Sequence, residues 1–182
     1  MLKTIYDYTV DDLRKIEWDE YEMITTGADS AESILLRAEV SNIIFRSFTK
    51  NPYHIYSEDP MHKIDASETA RTDSSLTYVI EYKYRHLLRG DARRERYNRD
   101  GWWLERTKYD ALMEAYYKTG SLPCYYVFLP RGEGYAWSLK NVKPEWKSIM
   151  ANDITSAGLY GERKRPKEAI FLPIEKAKII KW

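Results

Sequence analysis

The sequence contains little of what several common kinds of site require. Its 182 residues include one cysteine, Cys124, and only three histidines. A single cysteine excludes an intramolecular disulfide framework and a multi-cysteine zinc site, and it is typical of a reducing compartment, so we expect a cytoplasmic protein. The histidines lack the one-turn spacing of paired metal ligands. Cysteine and histidine are therefore expected to have structural rather than catalytic roles.

Long apolar stretches are also missing. No segment approaches the roughly 18 apolar residues of a membrane-spanning helix, and the opening MLKTIYDYTVDDL is too acidic for a secretion signal. Hydrophobic residues nonetheless make up 43% of the chain and aromatic residues 14%, which is enough for one compact core at this length. We expect a single domain over residues 1–182 with no membrane partner.

The net charge is close to zero, but the charges are unevenly distributed. A net charge of +1 provides no overall field that would attract nucleic acid. Residues 1–32 contain nine acidic residues against three basic ones, whereas residues 83–99 contain seven Lys or Arg residues against two acidic ones. We therefore expect an acidic helical segment over residues 1–29 and a basic loop after the segment LTYVIEYKYR.

Hydrophobic periodicity predicts both helices and strands. The alternation in LTYVIEYKYR predicts a long strand with Tyr78 and Ile80 on one face and Glu81 and Lys83 on the other. A short strand is expected around the residues KID, and CYYVFLP and GYAWSL, separated by RGEG, are typical of a hairpin.

Helices are expected from Ser30 through AESILLRAEVSNIIFRSF and from Trp102 to the terminating Gly120. Residues 141–168 are expected to be loop with a little helix, and AIFLPIEKAKII to add one edge strand. The predicted fold class is α/β in the broad sense (mixed α+β), with a small mixed central sheet flanked by helices.

One pair on the long strand could carry chemistry. Glu81 and Lys83 are two residues apart and so project from the same face, where a carboxylate could bind a metal ion beside an ammonium group. About two Asp/Glu-x-Lys triplets are expected by chance, and three occur; the others are Glu145/Lys147 and Glu162/Lys164. Only the first lies on a strongly patterned strand. The alternative interpretation is an ion pair on an exposed sheet, worth less than ~1 kcal/mol.

A magnesium site needs a further oxygen ligand beside Glu81. Asp65 precedes Glu81 by sixteen residues, a length that suits a hairpin bringing both carboxylates to one end of a sheet. Asp73 is the other candidate, but its setting RTDSS is typical of a turn. We therefore expect Asp65 to be the second acid.

Together these residues resemble the PD-(D/E)XK nucleases, also called restriction-endonuclease-like proteins. Asp65 in SEDPMHKIDA matches the acidic residue near one strand end, and Glu81 and Lys83 in YVIEYKYR match the Glu-x-Lys of the next strand. The resemblance covers about residues 30–140, which implies a restriction-endonuclease-like core followed by a C-terminal extension over residues 141–182.

The resemblance implies an endonuclease or exonuclease that hydrolyses phosphodiester bonds with Mg²⁺ or Mn²⁺, and DNA is the expected partner. Asp65, Glu81 and the backbone carbonyl of Tyr82 would bind the metal, and Lys83 would orient water or stabilise phosphoryl charge. Glu39 and Lys108, on the preceding and following helices, are additional candidates. Six arginines of the basic loop would contact phosphates, unless the loop is merely solvated: Arg85, Arg89, Arg93, Arg94, Arg96 and Arg99.

Two other functions remain open. The same fold could serve a non-catalytic nucleic-acid-binding or assembly protein. Alternatively, the acidic segment from Asp7 to Glu22 could imitate nucleic acid in an interaction or inhibitor protein that binds a basic partner. The small size resembles that of phage or mobile-element accessory proteins, and a homodimer would suit an enzyme that cuts both strands of a duplex.

Overall fold

The computed structural model describes residues 10–11, 43–45, 54–56, 64–70, 73–84, 100–129, 132–152 and 164–182. In these ranges, residues 10–11 and 43–45 are helical and Ile174–Lys176 form a 3-10 turn. None of the helices described is long and apolar enough to cross a membrane. The longer elements are β1 (His54–Tyr56), β2 (Ala66–Thr69), β3 (Thr77–Tyr84), β4 (Gly101–Glu105), α1 (Arg106–Thr119), β5 (Leu122–Leu129), β6 (Glu133–Ser138), β7 (Lys147–Asn152), β8 (Lys164–Pro173) and β9 (Lys178–Lys181).

The strands form two sheets. The larger has six strands in the order β1-β2-β3-β5-β6-β9, and all neighbours are antiparallel except β3 and β5, which are parallel. Parallel neighbours need a crossover connection, and α1 lies in the connection between them. The smaller sheet is antiparallel, in the order β4-β8-β7. The mixed α+β class predicted from the sequence is confirmed.

Side chains of β5 alternate between two hydrophobic cores. Tyr125, Val127 and Leu129 belong to a core shared with α1, β4 and β8. Cys124 and Phe128 point to the opposite face of the larger sheet and belong to a second core. The two cores therefore bury both faces of the middle of this sheet.

Phe45 anchors the second core. Its ring stacks on Tyr82 of β3 with the centroids 5.0 Å apart, and it meets Tyr126 and Phe128 of β5 edge-on at 5.2 and 6.1 Å. The aromatic residues on this face of β3 and β5 are thus packed against the helical residues 43–45. The opposite face of β3, which carries Glu81, is the face toward α1.

The structure confirms the predicted strand over β3, the hairpin of β5 and β6, and the end of α1 at Gly120, where φ is 74°. A short strand was expected around KID, residues 63–65, and the observed strand β2 begins at Ala66, directly after this segment. The predicted helix start at Trp102 is wrong, because residues 101–105 form β4. Trp102 and Leu104 point into the core while the ring of Trp103 lies 5.0 Å from that of Phe171 on β8, an alternation that only a strand provides.

The loop expected over residues 141–168 is wrong for residues 147–152 and 164–168, which form strands, whereas residues 141–146 are turn and irregular backbone and residues 153–163 lie outside the described residues. β7 and the first half of β8 pair there in antiparallel register, from Lys147 opposite Ala169 to Asn152 opposite Lys164. Residues 164–182 supply the middle strand of the smaller sheet and the edge strand β9 of the larger one. The stretch described above as a C-terminal extension therefore contributes to both sheets. The acidic segment over residues 1–29 lies outside the described residues, apart from 10–11.

Trp182 ties this part of the chain to the β5–β6 hairpin. Its indole N–H lies within hydrogen-bonding distance of the carbonyl oxygens of Leu129 (3.1 Å) and Glu133 (2.7 Å), and its backbone N–H donates to Gly132. The ring meets Phe128 edge-on at 6.4 Å. The side chain is buried in the second core, and its indole group contacts residues on both sides of the turn between β5 and β6.

We expect Trp182→Ala to lower the free energy of unfolding by about 3–5 kcal/mol, because it opens a cavity and removes the partners of two carbonyl groups. Denaturant titration followed by circular dichroism measures the change. Tyr117→Ala is the control, since that side chain is 77% exposed, and it should change stability by less than about 0.5 kcal/mol. Equal effects of the two substitutions would contradict the placement of Trp182.

Candidate functional site

Asp65 is fixed beside the middle of β3 by two hydrogen bonds. It immediately precedes β2, and its backbone N–H donates to the carbonyl of Ile80 over 3.0 Å. Its Oδ2 accepts a hydrogen bond of 2.9 Å from the backbone N–H of Tyr82. The antiparallel pairing of β2 with β3 therefore holds this carboxylate next to residue 81.

Glu81 lies at the bottom of the site. It has the same orientation on β3 as Val79, toward α1, and only 1% of its surface is exposed. β3 is hydrogen-bonded to β2 on one side and to β5 on the other, with Tyr125 directly opposite Glu81. An ionisable side chain thus occupies a position where an aliphatic residue would be expected.

Lys108 comes from the first turn of α1. It lies four residues before the fully buried Leu112, so both are on the face of the helix that packs on the sheet. Its Nζ lies 2.8 Å from Oε2 of Glu81 and 3.4 Å from Oδ1 of Asp65. The shorter distance makes the contact with Glu81 a close ion pair.

Lys83 completes the group from the same strand, with its Nζ 3.9 Å from Oε1 of Glu81. We call Asp65, Glu81, Lys83 and Lys108 the acid–lysine cluster. Three of these side chains are about a quarter exposed, whereas that of Glu81 is 2% exposed. The cluster is thus a half-open site with one carboxylate at its base and a second nearer to solvent.

Burial, and then the nearby charge of Asp65, raises the pKa of Glu81 from its ordinary 4.5 to about 8, although Lys83 and Lys108 act in the opposite direction. Burial also lowers the pKa of Lys108, but the attraction of Glu81 and Asp65 is stronger, and the net shift is upward. Both upward pKa shifts favour the protonated forms of Glu81 and Lys108.

The two carboxylates suit a hard divalent cation. Among the residues that the structure describes, no group of three or more His, Cys, Asp or Glu side chains is placed to hold a metal ion. Mg²⁺, however, usually takes one or two carboxylates and completes its shell with water and substrate phosphate. Asp65 and Glu81 already contact one shared cationic group, the ammonium of Lys108. Their oxygen chemistry and arrangement fit such an ion.

The structure brings together four of the residues singled out from the sequence: Asp65, Glu81, Lys83 and Lys108. Asp73 is instead in an exposed turn, where its Oδ1 accepts hydrogen bonds from the backbone N–H (2.9 Å) and hydroxyl (2.6 Å) of Ser75. The Tyr82 backbone enters the site through its N–H, and the metal-binding role of its carbonyl stays a prediction. Glu39 and the arginines 85, 89, 93, 94, 96 and 99 lie outside the described residues.

Sequence reasoning missed two ion pairs that hold the start of α1 in place. Glu105, the last residue of β4, pairs with Lys167 of β8 at 3.1 Å, and Arg106 pairs with Glu168 at 2.7 Å. These pairs join the start of α1 to the smaller sheet and so fix the turn that carries Lys108. The sequence signal for these pairs is that residues 105 and 106 and residues 167 and 168 carry opposite charges. This signal can be used only when the register of β4 and β8 is known.

The raised pKa of Glu81 has a consequence for stability. The folded state holds this proton more tightly than the unfolded state, so the stability that it provides is fully present below pH 4.5 and is lost as the pH rises through about 8. Without divalent metal, the unfolding free energy of the wild type should therefore fall relative to that of Glu81→Gln across this window. The slope should not exceed about 1.4 kcal/mol per pH unit, which is the limit for a single proton.

Denaturant titrations in a chelator at several pH values measure this difference. Glu114→Gln, which changes an exposed carboxylate in the second half of α1, should keep the wild-type slope. A wild-type stability that rises with pH relative to Glu81→Gln would contradict the upward shift.

Comparison with known proteins finds no matching family model, no similar curated protein and no similar solved structure. The function must therefore be inferred from the acid–lysine cluster and from the sequence pattern that led to it.

Proposed function

We propose that this protein is a metal-dependent nuclease that hydrolyses phosphodiester bonds, with DNA as the expected substrate. The observation that carries the proposal is the meeting of buried Glu81 with Asp65 and two lysines in a half-open site. These are the residues on which the resemblance to PD-(D/E)XK nucleases depends. The order of the elements also agrees with the resemblance. Asp65 immediately precedes β2, Glu81 lies on β3, and α1, which carries Lys108, follows farther along the chain.

In this proposal Asp65 and Glu81 hold Mg²⁺ or Mn²⁺. The ion, when bound, would polarise the scissile phosphate and lower the pKa of a water molecule. Lys83 is anchored on β3 with its ammonium beside Glu81, so it can orient the attacking water or balance the charge that develops on the phosphoryl oxygens. The hydrogen bond from Tyr82 N–H holds the Asp65 carboxylate in position.

The charge balance of the cluster favours a second candidate, a non-catalytic nucleic-acid-binding or assembly protein on the same fold. Two lysines already contact the carboxylates. A cluster that is neutral when fully ionised can persist without a metal ion. In that case the acids and lysines would serve only to join β2, β3 and α1.

Cleavage assays with the full chain separate the two candidates. We expect cleavage in Mg²⁺ or Mn²⁺ and none in a chelator, tested on supercoiled plasmid, linear duplex, single-stranded DNA and RNA. Asp65→Asn, Glu81→Gln and Lys83→Met should each lower the rate about a hundredfold or more, because each removes a ligand or a charge that acts on the reacting phosphate.

Glu114→Gln is the control, since Glu114 is also a carboxylate paired with a lysine, Lys118, but lies in the second half of α1, outside the cluster. It should retain the wild-type rate. Circular dichroism spectra establish that each variant is folded. Metal-independent cleavage, or full activity in Glu81→Gln, would contradict the assignment, and the absence of cleavage on every substrate would favour the binding protein.

A further inference from the structure

Two lysines contact the carboxylates of the cluster, but they do so in different ways. Lys108 Nζ bridges both acids, at 2.8 Å from Glu81 and 3.4 Å from Asp65. Lys83 Nζ is 3.9 Å from the other oxygen of Glu81. The ammonium of Lys108 therefore lies where the negative electrostatic potentials of the two carboxylates add. This is also where a divalent ion held by the two acids would experience the greatest attraction.

A cation held by both carboxylates would compete with this ammonium. Two positive groups cannot share the space between two carboxylates without strong repulsion in a partly buried site. One of them must leave, and the side chain of Lys108 has the means to do so. It is a flexible four-carbon chain, and it is 24% exposed, so solvent is within reach of its end.

The helix itself does not have to move. α1 is anchored by Tyr109 and Leu112 in the core and by the pair between Arg106 and Glu168. Tyr109 also donates a hydrogen bond from its hydroxyl to the carbonyl of Val142. Only side-chain rotations of Lys108 are then needed to free the carboxylates.

We propose that Lys108 is a displaceable counter-ion: its ammonium holds Asp65 and Glu81 together when no divalent ion is bound and leaves when one binds. The inference rests on the proposed function, because it takes the two acids as the metal ligands. It adds that the affinity of the site for metal is set by competition with a residue of the chain. Lys108 is thus a positioning residue, distinct in role from Lys83.

Direct binding measurements test the competition. Mn²⁺ is titrated into the full chain, and the free ion is followed by electron paramagnetic resonance. Lys108→Met should bind Mn²⁺ about tenfold more tightly than the wild type, because the ion no longer displaces a partly buried ion pair. The control is Lys118→Met, which removes a lysine from an ion pair with Glu114 in the second half of α1, away from the cluster, and should leave the affinity unchanged.

A measurement on the unmodified chain covers the case in which Lys108→Met does not fold. Lysines are methylated in a short pulse with and without saturating Mn²⁺, and mass spectrometry gives the rate at each site. The ion should raise the rate at Lys108 severalfold and leave that at Lys167 unchanged. Displacement predicts this increase, whereas a lysine that stays beside a bound ion would be labelled at the same rate or more slowly.

The outcomes separate this inference from the proposed function. If the wild type binds Mn²⁺ and Asp65→Asn does not, while Lys108→Met binds no more tightly than the wild type or the labelling of Lys108 does not rise, the metal site stands and the counter-ion role is wrong. If neither the wild type nor Lys108→Met binds Mn²⁺, both are wrong. Tighter binding by Lys108→Met together with faster labelling of Lys108 supports both.

Discussion

The burial of the Glu81 carboxylate is the constraint on which the rest of the site depends. β3 is paired on both edges and covered on both faces, so a charge there loses nearly all contact with water. The effective cost of burying an ion in this way is several kcal/mol. Asp65 adds to the cost, because it brings a second carboxylate to the same place. The raised pKa of Glu81, which favours its neutral form, and the two nearby lysines each offset part of this cost.

The smaller sheet determines where Lys108 can be. β4 ends at Glu105 and α1 begins at Arg106, so no loop separates them. The pairing of β4 with β8, in the register Glu105 opposite Ala169, therefore fixes the first turn of the helix. Since β8 belongs to residues 164–173, a distant part of the chain positions one of the four groups of the cluster. The acids depend on the larger sheet, and the lysine that bridges them depends on the smaller one.

Period-two alternation was enough to find β3, because one side of that strand is consistently apolar. The β5–β6 hairpin was found from two apolar runs separated by the turn residues RGEG. The alternation assigned Glu81 and Lys83 to the polar side of β3 but gave no information about what covers that side. The helix α1 and Tyr125 cover it, and these come from more than twenty residues farther along the chain. Residues 102–104 were assigned to a helix because a short apolar run fits both periods. β7 and the start of β8 were missed because KSIMAN has a run of three apolar residues without alternation and KRPKEA is largely polar, so both carry little periodic signal.

The placement of the acids supports the proposed ligand site over a cluster that serves only stability. A buried ion pair is usually no more stable than apolar side chains of the same volume, and Val79 on the same face of β3 shows that the α1 side of this strand accepts an aliphatic residue. A second carboxylate beside the first is worse still for folding, yet Tyr82 N–H fixes Asp65 in that position. Asp65, Lys83 and Lys108 also remain about a quarter exposed, so the cluster is open to small ions and to phosphate. This arrangement, with two acids held close together and three side chains partly exposed, supports the proposal that the cluster binds a cation together with an anionic substrate.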